Sequence, residues 1–287
     1  MRAFASDNYA PAHPEVLEAV ARANVGHARA YGADEVTARL EARVREVFGP
    51  AAHCFPVFNG TGANVTSLQA ALRPWEAVVC SVQAHINVDE GGAPERTVGA
   101  KLIPLPTRDG RLTPQQVEAA FIRTGDEHYA QPRVVSVTQS SEYGTVYPLV
   151  QLRAIADVTH AHGGYLHVDG ARLANAAVSL GVELGEITSR GAVDVLSFGV
   201  TKNGALGAEA VIVFNPALAA HFKHVRKTLM QLNSKMRFTS AQLLALLSGD
   251  LWRRNAGNAN AMAQRLAKAV AGLPDVELTQ PVEANAV

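Results

Sequence analysis

Cysteine is scarce in this sequence: there are two in 287 residues, Cys54 and Cys80. Neither belongs to a CxxC, and each lies in or beside an apolar segment. Both therefore read as reduced core residues, which fits a reducing compartment. Long apolar runs are missing too. None reaches the roughly 18 residues needed to span a bilayer. The N-terminal "MRAFASDNYAPAHPEVLEAV" lacks the apolar stretch of a signal peptide. An excess of either charge is also absent, because 26 basic and 26 acidic residues leave a formal net charge of zero. Nothing electrostatic attracts nucleic acid or an anionic membrane, and near-neutrality favours self-association. The remaining composition, 48% hydrophobic and 18% charged, is that of a soluble globular protein, expected in the cytoplasm and without a metal.

Helical and strand periods alternate along the chain. "HPEVLEAVARAN" has apolar positions at helical spacing with Pro14 placed early. "DEVTARLEARVREVFG" is a cleaner helix that Asp34 can cap and Gly49 can stop. "CFPVFNG" reads as a strand and turn, and "GANVTSLQAALRP" as the helix after it. "AVVCSV", "KLIPLPT", "RVVSVTQ", "YLHVDGAR", "VDVLSFG" and "AEAVIVF" read as further strands. "TPQQVEAAFIR" and "PLVQLRAIADVTHAHGG" read as helices between them. Such alternation predicts an α/β fold with a mostly parallel sheet covered on both faces. Ligands of such sheets sit beyond the carboxyl ends of the strands. The polar residues following predicted strands are Asn59–Asn64, His85, Asp169–Arg172 and Thr201–Lys202. Four segments thus point to one rim.

Each of these has a plain reading and a chemical one. Asn59-Gly60-Thr61-Gly62 opens a helix whose free N–H groups suit an anion, most plausibly phosphate. It lacks the GK[ST] of a P-loop and the spacing of a dinucleotide loop. Asp169 ends a buried strand, where it either caps the next helix or faces a cationic ligand nitrogen. Arg172 suits a carboxylate or an oxyanion, or pairs with Asp169. His85 is a surface or core histidine, or it stacks on a planar ligand or moves a proton. Lys202 lies between the apolar runs Val193–Val200 and Ala208–Phe214. It is either half of a buried ion pair with Asp169 or an amine made nucleophilic by its surroundings. A phosphate cradle, an aspartate, an arginine and a buried lysine on one rim form the set expected for pyridoxal phosphate. In that set lysine makes the Schiff base and a carboxylate keeps the pyridine nitrogen protonated.

The stretches "SDNYAPAHPEV", "AYGADEVT", "NGTGAN", "QAHINVDEGGAPE", "HVDGARLANA" and "LSFGVTKNGALGAEAV" closely resemble the low-specificity L-threonine aldolases. These belong to the aromatic β-eliminating lyase and threonine aldolase group of aspartate-aminotransferase-like enzymes. The resemblance implies a fold type I large domain over residues 1–250. It also implies the beginning of a small C-terminal α+β domain over 251–287, incomplete because the family's chains run on. The missing part there supplies a further arginine for the substrate carboxylate. The physics agrees, since the 37 residues after Asp250 cannot bury a core of their own. A strand read at Val276–Thr279 would also lack partners. A truncated chain is therefore expected.

By the same resemblance Lys202 would carry the cofactor, Asp169 would hold the ring nitrogen, and Gly60 and Thr61 the phosphate. His85 would stack on the ring near the substrate β-hydroxyl, as the base or as the group positioning a water that is. Arg172 would bind the ring oxygen or the substrate carboxylate, and Ser6 would lie near that carboxylate. Tyr31 and Glu90 would line the site, with Glu90 as partner of His85. Arg237 would reach the phosphate of a neighbouring subunit in a homodimer or homotetramer with shared sites. The implied activity is cleavage of L-threonine or L-allo-threonine to glycine and acetaldehyde. Its rivals are a phenylserine aldolase, another β-eliminating lyase, an aminotransferase, and a non-catalytic cofactor-binding protein.

Overall fold

The structure, a computed structural model, describes residues 5–287. The chain runs α1 (Pro14–Ala23), α2 (Glu35–Phe48), β1 (His53–Val57), α3 (Gly60–Ala71), β2 (Glu76–Ser81), α4 (His85–Val88), α5 (Ala93–Val98), β3 (Lys101–Leu105) and α6 (Pro114–Ala120). It continues through β4 (Gln131–Thr138), α7 (Leu149–Ala161), β5 (Tyr165–Gly170), α8 (Leu173–Leu180), α9 (Leu184–Arg190), β6 (Val195–Gly199) and β7 (Glu209–Val213). The last helices are α10 (Pro216–Ala219), α11 (Phe222–Thr228), α12 (Met236–Leu247) and α13 (Leu251–Val270).

Local chemistry sets many of these boundaries. Asp34 starts α2 by accepting the Thr37 N–H at 2.8 Å. Thr113 and Gln116 cap α6 reciprocally, with Pro114 in the first turn, where its missing N–H costs nothing. Asn59 starts α3 by accepting the Gly62 N–H at 2.7 Å. The apolar strand runs, β-branched and continuous, are those of strands buried on both faces.

The seven strands form one sheet in the order β1-β7-β6-β5-β4-β2-β3. β7 is antiparallel to both β1 and β6, and the other pairs are parallel. Six strands therefore end on one rim, and β7 begins there. Two apolar clusters cover the two faces. One is built on Leu40, Leu152, Ile155, Leu196 and Leu243, the other on Val57, Leu68, Val78 and Phe222.

The chain beyond α13 differs from its sequence reading. No strand forms at Val276–Thr279, because no neighbouring strand is there to receive it. The final residues instead lie against the large body. Ala284 is buried, Glu283 accepts the Val146 N–H at 2.5 Å, and the Asn285 amide donates to Asp7 at 3.0 Å.

Candidate active site

All four rim segments meet around a cavity of about 290 Å³. Asn59, Gly60 and Thr61 bring to it the start of α3. His85 comes from α4, Asp169 from the end of β5, and Lys202 from the short turn after β6. Gly60 has open space where a side chain would stand, so the backbone N–H groups at this helix start are reachable. Gly62 has none: a Cβ there would meet the Gln231 amide, whose Oε1 accepts the Phe58 N–H at 3.1 Å.

Asp169 and Lys202 are not an ion pair. Among the described residues Lys202 forms none. Asp169 accepts the Asn64 amide at 2.9 Å and the Ala171 N–H at 3.0 Å. The buried Asn64 amide donates at the same time to Glu90 at 2.8 Å, and Glu90 accepts His85 Nδ1 at 2.9 Å. One amide therefore holds two buried carboxylates, and one of these fixes the imidazole. Asn64 Oδ1 and Glu90 Oε2 remain buried without partners. The Glu90 hydrogen bond raises the His85 pKa, against burial, with the charges of Glu90 and Asp169 adding and Lys202 opposing.

Three further titratable groups have pKa values moved by burial. Burial raises the Glu142 carboxyl, although it accepts the His85 backbone N–H at 2.9 Å and the Thr138 hydroxyl at 2.7 Å. His167 is pushed down to about 4 by burial, so it is neutral, with one ring nitrogen against Ser136 and the other against Ser197. Burial pushes Glu209, the first residue of β7, up to about 7. It lines the cavity beside Lys202.

Other expected site residues lie elsewhere. Arg172 does not pair with Asp169; its fork holds Asp7 at 2.6 and 3.0 Å. Burial alone would raise the Asp7 carboxyl, but Arg172 and Asn285 hold it below the usual range. Ser6 caps the turn that carries Asp7, through the Asn8 N–H at 3.2 Å. Tyr31 is exposed, with the Lys227 amine over its ring. Arg237 donates to the carbonyls of Val25 and Gly26, away from this chain's cavity. The sequence reading gave no role to Asn64, Asp7 or Glu209. A polar residue inside the apolar stretch "GANVTSLQAAL" and an acid opening "EAVIVF" were the available signals.

A family model described as beta-eliminating lyase matches residues 3–287. A low specificity L-threonine aldolase of Pseudomonas sp. is 44% identical over 99% of this chain and 82% of its own length. One from Pseudomonas aeruginosa is 45% identical with the same coverage. Among solved structures, a threonine aldolase from Leishmania major superimposes with a TM-score of 0.88 at 31% identity, over 93% of this chain and 78% of that one. An aspartate aminotransferase from Rhizobium meliloti shares the fold alone, with a TM-score of 0.72 at 15% identity over 92% of this chain and 68% of the other. The chain belongs to the beta-eliminating lyase family, within the threonine aldolase group of fold type I, pyridoxal-phosphate-dependent enzymes.

Proposed function

We infer that the protein is a low-specificity L-threonine aldolase, which splits L-threonine or L-allo-threonine into glycine and acetaldehyde. The observation that carries this reading is the joint lining of one cavity by Lys202, Asp169, His85 and the start of α3. These groups fit pyridoxal phosphate on chemical grounds. An open glycine at a helix N-terminus suits the phosphate, a buried carboxylate suits the ring nitrogen, and an amine suits the aldehyde. When bound, the cofactor condenses with an amine and accepts the electron pair of the broken Cα–Cβ bond.

The chain's own residues do the rest. Lys202 presents the amine, and Gly60 and Thr61 hold the phosphate end. Asp169, which accepts the Asn64 amide and the Ala171 N–H, would hold the protonated ring nitrogen of the cofactor. His85 would stack on the cofactor ring and present Nε2, because Glu90 occupies Nδ1. That nitrogen takes the β-hydroxyl proton, directly or through a water, as Cα–Cβ breaks and the C=O of acetaldehyde forms. A proton returned to Cα completes glycine. Arg172 and Ser6 would meet the substrate carboxylate only with the Arg172 fork released from Asp7.

Arg237 reaches away from this cavity, and Val25, Tyr31 and Met230 are exposed. That supports a homodimer or homotetramer in which Arg237 serves a neighbour's phosphate and Tyr31 its site. Residues 251–287 read as the opening of the small domain. No helix among the described residues is long and apolar enough to cross a membrane, and a cytoplasmic location fits the buried thiols.

The test is cleavage of L-threonine by the cofactor-loaded protein. Acetaldehyde is followed with alcohol dehydrogenase and NADH, and glycine by chromatography. Equal amounts of both, lost in Lys202→Ala, are expected. Keto-acid formation without aldehyde would favour an aminotransferase instead.

A further inference from the structure

The reversed direction of β7 brings to the rim a carboxyl group that the proposed mechanism leaves unused. Glu209 opens β7 and stands between Val57 of β1 and Gly199 of β6 in the sheet register. It is buried and borders the same cavity as Lys202. Its Oε2 accepts the Val200 N–H at 3.1 Å, two residues before the lysine. The fit is close, since a side chain on Gly199 would come within 3.0 Å of Oε2. The Val200 bond uses one of the two carboxyl oxygens.

We propose that Glu209 is the positioning residue and proton partner of Lys202. Through the Val200 amide it fixes the turn that carries the lysine, and it takes up or returns one proton whenever the Lys202 amine is set free. Lys202 and Glu209 share the cavity without forming an ion pair, so the proton crosses through a water between them: it leaves the Lys202 ammonium as Glu209 is protonated, and returns when the amine is protonated again.

Other acids near the lysine are committed elsewhere. Asp169 is held by Asn64 and Ala171, Glu90 by Asn64 and His85, and Asp7 by Arg172 and Asn285. The charged or titratable groups facing Glu209 across the cavity are Lys202, Asp169 and His85. Burial pushes the Glu209 carboxyl up to about 7, while Thr201, Val200 and the Lys202 charge pull against it. A carboxyl poised there changes state near neutral pH, where proton exchange is most effective.

The proposal rests on the reading of Lys202 as the amine that takes the cofactor aldehyde. Its test is the rate at which pyridoxal phosphate, trapped with borohydride, labels Lys202 across the pH range, read by peptide mass. The variants are Glu209→Gln, which keeps an acceptor for Val200 but loses the charge, and Glu209→Ala, which loses both. Removing a carboxylate that shares the cavity with an ammonium makes the amine freer at lower pH. Glu209→Gln is therefore expected to move the labelling midpoint down by about one unit, and Glu209→Ala to slow labelling at every pH as well. A Glu209→Gln profile that overlays the wild type would overturn the proton role while leaving the cofactor reading intact. No labelling of wild-type Lys202 at any pH would remove the cofactor reading and this proposal with it.

Discussion

Replacing Glu90 by glutamine should weaken the hold of His85 on its proton, and the size of the effect follows from the geometry. Nδ1 lies 2.9 Å from Oε1, with the Glu90 side chain fully buried and that of His85 37% exposed. A hydrogen bond to a buried, ionised acceptor contributes roughly 1.5–3 kcal/mol. Solvent reaches more than a third of the imidazole, which reduces this to about 1 kcal/mol. The His85 midpoint should therefore fall in the variant. NMR titration of the imidazole reads this directly, with His85→Asn assigning the signal.

The sign for stability follows as well. A histidine whose folded pKa is raised adds stability that is complete below its unfolded value near 6.5, and loses it as the pH rises through the folded value. The Glu90→Gln deficit should therefore be full, at about 1 kcal/mol, below that unfolded value and shrink as the pH rises through the folded one. If His85 takes the hydroxyl proton, the acid limb of the threonine-cleavage profile moves down with the midpoint. An unmoved midpoint would refute the reasoning about Glu90. A moved midpoint with an unmoved limb would refute His85 as the proton acceptor.

Asp7→Asn should destabilise the protein by roughly 2 kcal/mol at neutral pH, because it leaves the half-buried Arg172 without its bidentate partner. The depressed Asp7 pKa means that denaturation curves of variant and wild type converge as the pH falls below 3.8 through the folded value. Both thiols are pushed up to about 12, chiefly by burial, so Ellman's reagent should find almost no reactive cysteine until the protein is unfolded. Two reactive thiols in the native state would contradict the described core. Gly185→Ala places a Cβ 2.0 Å from the Val47 carbonyl oxygen, where α9 crosses the end of α2. Backbone must move, and a loss of about 3 kcal/mol is expected in chemical denaturation.

Much of this was legible in the sequence, for physical reasons. Continuous apolar strands such as "VVSV" and capped helices such as Thr113–Gln116 carry their structure locally. The rule that ligands lie beyond strand ends pointed to Asn59–Asn64, His85, Asp169–Arg172 and Thr201–Lys202, because those segments follow strands that end on the rim. The same rule passes over Glu209, which begins a strand. Only the antiparallel placement of β7, a long-range fact, brings it to the site. Asn64 was placed on the rim with its segment, but its role depends on Glu90 and Asp169 arriving from other elements. Arg172 lies three residues after Asp169 in the sequence yet bonds to Asp7, 165 residues away, which no local pattern encodes.

The central claim, that Lys202, Asp169 and the substrate pocket act on one cofactor, is tested most directly by a visible spectrum of the purified protein with added pyridoxal phosphate. A band that borohydride bleaches, that is absent in Lys202→Ala, and that glycine moves to longer wavelength is the predicted result. A folded protein that gives no such band would contradict the account.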